Sequence, residues 1–262
     1  VILPLLPYET YTQFQLNPLK IWLVVVAVSG VSYVSYILHK LNNNTSSVLW
    51  AAVLGGVYSS TVTTLVLARK SKLEDRPRSF AGAILIASGV MYLRLIALLA
   101  LFNIELMKRL GVAFICLSAL AIIFGYIWAK SAKEEELTIA SSPEVKNPLD
   151  FSAAIIFGAI FVAMSILSQY AVQDFGDKGL YTLATIMGLV DIDPFVMSLA
   201  TSTLDGKAIE AISIAILIAT SANNFIKGIY AYSLSSTQSR LQSGLFLLIL
   251  AALGLAAIAF LF

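Results

Sequence analysis

Apolar residues fall along this chain in eight blocks of about 20, running from Lys20 to Leu38, Val48 to Leu67, Phe80 to Leu101, Leu110 to Ala129, Phe151 to Ala171, Gly179 to Ala200, Ala208 to Tyr232 and Ser243 to Leu261. A block of that length, wound as an α-helix with a rise of about 1.5 Å per residue, crosses roughly 30 Å of hydrocarbon. The pattern predicts an all-α, polytopic membrane protein with about eight transmembrane helices. Only one polar interval is long. Lys130 to Pro148 carries Glu134, Glu135, Glu136, Ser141, Ser142 and Pro143 and reads as a linker.

That linker separates two similar halves. Asn17-Pro18-Leu19-Lys20 opens the first and Asn147-Pro148-Leu149-Asp150 the second. Gly56 and Ala68 match Gly188 and Ala200 at an offset of 132, and Ile84-Leu85-Ile86-Ala87-Ser88 matches Ile216-Leu217-Ile218-Ala219-Thr220 at the same offset. The expected organisation is a lead-in over 1–16 that closes a preceding helix, a first four-helix repeat over 17–129, a cytoplasmic linker over 130–148 and a second four-helix repeat over 149–262. Four crossings per half is an even number, so the repeats are expected to run parallel. On that topology ten Lys and Arg lie on the side of the N-terminus and five on the other, which predicts cytoplasmic termini.

Composition agrees with the pattern: 59% of the 262 residues are hydrophobic and 12% charged, with a mean hydropathy of +0.87, values outside those of a soluble surface. The net charge of +2 and the lack of a basic stripe argue against nucleic acid as a partner. Membrane lipids and small ions remain. The single Cys116 cannot form an internal disulfide. The chain starts on Val1, and Val1 to Pro7 reads as the end of an apolar helix, so a fragment of a longer protein is expected.

Away from the ends of the apolar blocks stand four charged side chains: Arg94, Lys227, Asp191 and Asp193. A charge at the bilayer centre costs roughly 2.5–3.5 kcal/mol on insertion scales, so each needs a partner or water. They can be ion pairs that lock helices together, or a site visited by a cation. In an unbroken helix Asp191 and Asp193 point about 200° apart. Pro194 removes an amide donor and biases Asp193 away from helix, and Gly188 lies one turn earlier, so the segment Gly188 to Pro194 can unwind and let both carboxylates converge. Broken helices of this kind hold ions in transporters; a simple proline kink is the other reading.

On the next helix Asn223 and Lys227 share a face at i, i+4, with Asn224 about a third of a turn away. Asn223 can supply an amide oxygen, and a buried Lys227 can lose its proton, so cation and proton can compete for the same carboxylates; Lys227 can equally snorkel to the surface. The first-half counterparts of the aspartates are Ser59 and Thr61, since 191 − 132 = 59 and 193 − 132 = 61. They form a polar path with Asn224 or bond to neighbouring helices. Arg94 stays charged and must be compensated. His39, the only histidine, is expected in a loop, and no nucleophile stands beside a base, so an enzyme is not expected and neither is a cofactor.

The stretch Gly188-Leu189-Val190-Asp191-Ile192-Asp193, the Asn223 to Lys227 spacing, Asn17-Pro18, Gly56 with its Ser/Thr cluster, and Met91-Tyr92-Leu93-Arg94 resemble the membrane domain of unknown function that follows the MgtC-like domain in prokaryotic MgtC/SapB family proteins. The resemblance implies a prokaryotic plasma membrane, an MgtC-like domain ahead of Val1, and a link to magnesium homeostasis. Pro194 departs from the small residue expected there. The leading expectation is a transporter or channel for a cation, with magnesium or another divalent metal as the candidate ion. Asp191, Asp193 and Asn223 would be its ligands, Asp191 and Asp193 the metal-binding pair, and Lys227 and Arg94 the compensating charges. The alternative is a non-transporting scaffold or regulator, and a homo-oligomer is open to either through Gly55, Gly56 and Gly158.

Overall fold

A computed structural model describes residues 17–41, 48–73, 77–131, 151–202 and 209–262. The lead-in over 1–16 and all but the first two residues of the linker over 130–148 lie outside the described residues. The described chain is helical and contains no strand. It forms α1 (Pro18–Leu41), α2 (Val48–Leu73), α3 (Pro77–Phe102), α4 (Ile104–Lys130), α5 (Phe151–Val190), α6 (Ile192–Thr201), α7 (Ile209–Leu234), a single turn α8 (Thr237–Ser239), one π-helical turn (Arg240–Gly244) and α9 (Leu245–Leu261). Seven of the described helices, α8 to α9 counted as one, are long and apolar enough to cross a membrane. The protein is therefore an all-α, polytopic membrane protein. His39 stands on α1 rather than in a loop.

The helices begin where the sequence supplies caps. Asn17 accepts the Lys20 amide with Pro18 at the first helical position, and Asn103 accepts the Leu106 amide at the start of α4. α3 is the central element: Phe80, Tyr92 and Leu95 are fully buried, and Arg94 is buried with them. α4 and α9 turn apolar side chains outward, among them Val112, Ile115, Ile123 and Leu245, as a helix facing lipid does.

Two long helices are not continuous. α5, at 40 residues, is about 60 Å if straight, twice the hydrocarbon thickness. It reverses at Gly176, whose φ of 62° and ψ of −144° suit only glycine. Beyond the turn, Gly179 packs against the Ala171 carbonyl, eight residues back, where a straight helix would hold them about 12 Å apart. α2 breaks at Ser59 (φ −161°, ψ 108°), and Gly55 then lies directly against the Thr63 side chain. α5 gives way to α6 through one extended residue, Asp191 (φ −149°, ψ 118°). Ser59 and Asp191 are 132 apart, as are both ends of α3 and α7.

The sense of the two halves corrects the expected parallel repeat. Ser71 and Lys72 in the last turn of α2, six and five residues before α3 starts, bond to Ser236, just past the end of α7, and to Ser233 within its last turn. Asn103 at the end of α3 bonds to the Ala200 carbonyl of α6, just ahead of the start of α7. α3 and α7 thus run antiparallel. At their crossing Tyr92 and Asn224, themselves 132 apart, hydrogen-bond to each other at 2.6 Å.

The broken elements consequently fold back instead of passing through, which accounts for the shortfall against eight crossings. The second limb of α5 runs alongside α7 in the same sense: Tyr181 lies within electrostatic reach of Glu210, and Gly188 packs on Ala219 and Ala222. α6 follows α3, from Asp193 at Arg94 to Ala200 at Asn103, and α3 opposes α7. The limbs on either side of Asp191 therefore return to one end of the molecule. Gly56 on Ala87 reproduces Gly188 on Ala219 in the first half. The glycines considered for subunit contact are used internally: Gly55 on Thr63, Gly56 on Ala87 and Gly158 on Val25.

Candidate functional site

Both breaks are built from the same local chemistry. An N-cap residue has extended backbone and a short oxygen-bearing side chain that accepts an amide of the following turn. Asp191 Oδ1 accepts the Asp193 amide at 3.2 Å, and Ser59 Oγ accepts the Val62 amide at 3.4 Å. Pro194 sits in the first turn of α6, where no helical amide is required of it. The first half breaks without a proline. The close contacts of Gly56 with the Ala87 backbone and of Gly188 with the Ala219 carbonyl hold each first limb against its long helix.

The two breaks open into one cavity of about 510 Å³. Tyr58, Ser59, Thr61 and Val62 line it from the first break, Val190, Asp191 and Asp193 from the second, with Arg94, and Ser29 and Ser32 of α1 and Phe157 and Ile160 of α5 close its sides. Asp193 forms an ion pair with Arg94 Nη2, and the two side chains are only 15% and 5% exposed. The Nη1 of Arg94 donates to the Val57 and Tyr58 carbonyls at 2.9 Å each, the last two residues of the first limb of α2. One guanidinium thus satisfies a helix C-terminus in one half and a carboxylate in the other. Asp191, in contrast, is exposed to the cavity.

The remaining residues stand behind this wall. Lys227 is fully buried, and its Nζ contacts Ser60 Oγ and the Met91 sulfur at 3.3 Å each. Asn223 Nδ2 donates to the Gly188 carbonyl at 3.1 Å, and Asn224 to Tyr92. The structure therefore brings Asp191, Asp193, Arg94, Ser59 and Thr61 to one cavity. Asn223, Asn224 and Lys227 do not line it. Lys227 does not snorkel, and among the described residues no carboxylate bonds to it. Among the described residues no group of three or more His, Cys, Asp or Glu converges to hold a metal ion, so a protein-only cage for a bare divalent ion is not present there.

Comparison with known sequences places this arrangement. A family described as a domain of unknown function, DUF4010, matches residues 26–235, most of the chain. The chain belongs to the DUF4010 family. A protein from Aquifex aeolicus (strain VF5) bearing the name "Uncharacterized protein" is 29% identical over 200 residues, covering 75% of this chain and 86% of its own length. No solved structure matches. The DUF4010 match takes in both breaks and every residue that lines the cavity.

Sequence reasoning missed two parts of this DUF4010 site. Ser29 and Ser32 of α1 were unremarkable among apolar neighbours. The Val57 and Tyr58 carbonyls that hold Arg94 have no side-chain signature at all; the signal was the glycine pair Gly55-Gly56 followed by the N-cap residue Ser59.

Proposed function

We propose that this protein is a membrane transporter or channel that moves a cation through the cavity between the two helix breaks. The observation that carries the reading is the division of labour between its aspartates. Asp193 is consumed by Arg94, whereas Asp191 faces open space. The cavity charge is −2 from the aspartates and +1 from Arg94, a balance of −1 that favours a positive visitor. At about 510 Å³ it has room for an ion that keeps its water, since six waters occupy roughly 180 Å³ at about 30 Å³ each. Magnesium dehydrates reluctantly and binds through one or two carboxylates with several waters, so the site suits a hydrated divalent ion. Asn223 and Lys227 act from behind the wall, Asn223 by holding the Gly188 carbonyl.

The antiparallel halves also revise the proposed orientation. Among the described residues Lys40, Arg69, Lys70, Lys72, Arg78, Lys130 and Arg240 fall on one side, seven in all, and Lys20, Lys108, Arg109 and Lys178 on the other, four in all. The seven mark the cytoplasmic side of a prokaryotic plasma membrane. The start of α1 and the end of α9 then face outward, in place of the cytoplasmic termini expected from parallel repeats.

Purified protein in proteoliposomes tests the function. Uptake of Na⁺, K⁺ or Mg²⁺ above that of protein-free vesicles supports it. Uptake of all three no greater than in protein-free vesicles would leave a scaffold or regulator, and co-purification with an MgtC-like domain or another membrane protein would then be the property to measure.

A further inference from the structure

We infer that the moving cation is held at the twofold counterpart of the Arg94 guanidinium, by the Leu189 and Val190 carbonyls, the Thr61 hydroxyl and the Asp191 carboxylate. This rests on the cation-transport reading and specifies where the ion sits. At an offset of 132, Val57 and Tyr58 correspond to Leu189 and Val190, Asp193 to Thr61, and Arg94 to Ile226. Contacts obey the same operation: Gly56 meets Ala87 as Gly188 meets Ala219, and Tyr92 meets its own counterpart Asn224.

In one half, the C-terminal carbonyls of a broken helix and an oxygen of the opposite half hold a positive charge tethered to α3. The negative end of a helix dipole favours such a charge. In the other half the helix end and the opposing oxygen are both present, and the tether is replaced by the apolar, half-buried Ile226. Ile226 lies one turn beyond Asn223, whose amide fixes the Gly188 carbonyl. Thr61, Val190 and Asp191 all line the cavity, so a diffusible ion reaches this position and a tethered one does not fill it. Neutral carbonyls and a hydroxyl with one carboxylate are oxygen ligands for a hard cation.

The test is to supply the missing tether. In proteoliposomes, Ile226→Arg is expected to lower Na⁺, K⁺ or Mg²⁺ uptake, whichever the wild type shows, at least tenfold, while Ile226→Met keeps the wild-type rate. Uptake that survives Ile226→Arg overturns the inference and leaves cation transport standing; a wild type that carries none of the three ions overturns both. If Ile226→Arg aggregates, Thr61→Val decides. A several-fold rise in the half-saturating cation concentration supports the assignment, and an unchanged value overturns it.

Discussion

Arg94 and Asp193 show what a buried ion pair does in this fold. Removing one partner of such a pair leaves an uncompensated charge and costs about 3–5 kcal/mol, whereas replacing both with neutral groups is often close to neutral. Arg94→Met is therefore expected to lower the melting temperature of the purified protein markedly, and Arg94→Met/Asp193→Asn to recover most of the loss. Equal destabilisation in the single and double variants would show that the pair is not the interaction at stake. The sequence made this cluster visible, because charged residues inside apolar blocks are few. It did not disclose the pairing. Arg94 and Lys227 were equally available to the aspartates, and the choice depends on the Val57 and Tyr58 carbonyls, which Arg94 reaches and a sequence does not advertise.

At the scale of the element, helix length and composition were legible and continuity only in part: the break at Asp191 falls inside the Gly188 to Pro194 segment that the sequence marks, while those at Ser59 and Gly176 carried no such mark. Ser59 breaks its helix through N-cap chemistry, yet a Ser within an apolar run carries no local instruction distinguishable from an ordinary buried polar residue. Pro194 pointed to the right segment for a partial reason, since the first half breaks with no proline. Gly176 was hidden among polar residues at the end of an apolar block, and only its backbone shows the reversal. The turn holds residue 176 in a conformation that strains any residue with a Cβ, so Gly176→Ala is expected to cost about 1–3 kcal/mol, read as earlier thermal unfolding. An unchanged melting temperature would mean that the turn is not held in this conformation.

For the whole molecule, counting apolar blocks gave the class and missed the topology. Eight blocks divide evenly into two parallel halves only if each crosses the membrane; two of them turn back at mid-length, leaving an odd number of crossings per half and an antiparallel relation. Cysteine labelling separates the arrangements. With Cys116 replaced by Ser, a cysteine at Ser131 and one at Ser202 are expected to react from opposite sides of the membrane, and one at Ser131 and one at the exposed Ser233, at the end of α7, from the same side. Parallel repeats require the reverse in both comparisons.

The central claim is that Asp191 is the carboxylate a passing cation meets. Asp191→Asn retains an N-cap acceptor for α6 and removes only the charge, which makes it a cleaner probe than Asp191→Ala. Initial cation uptake by proteoliposomes carrying Asp191→Asn, at matched protein content, is the direct measurement. At least a tenfold fall relative to wild type is the predicted result, and uptake equal to wild type contradicts the account.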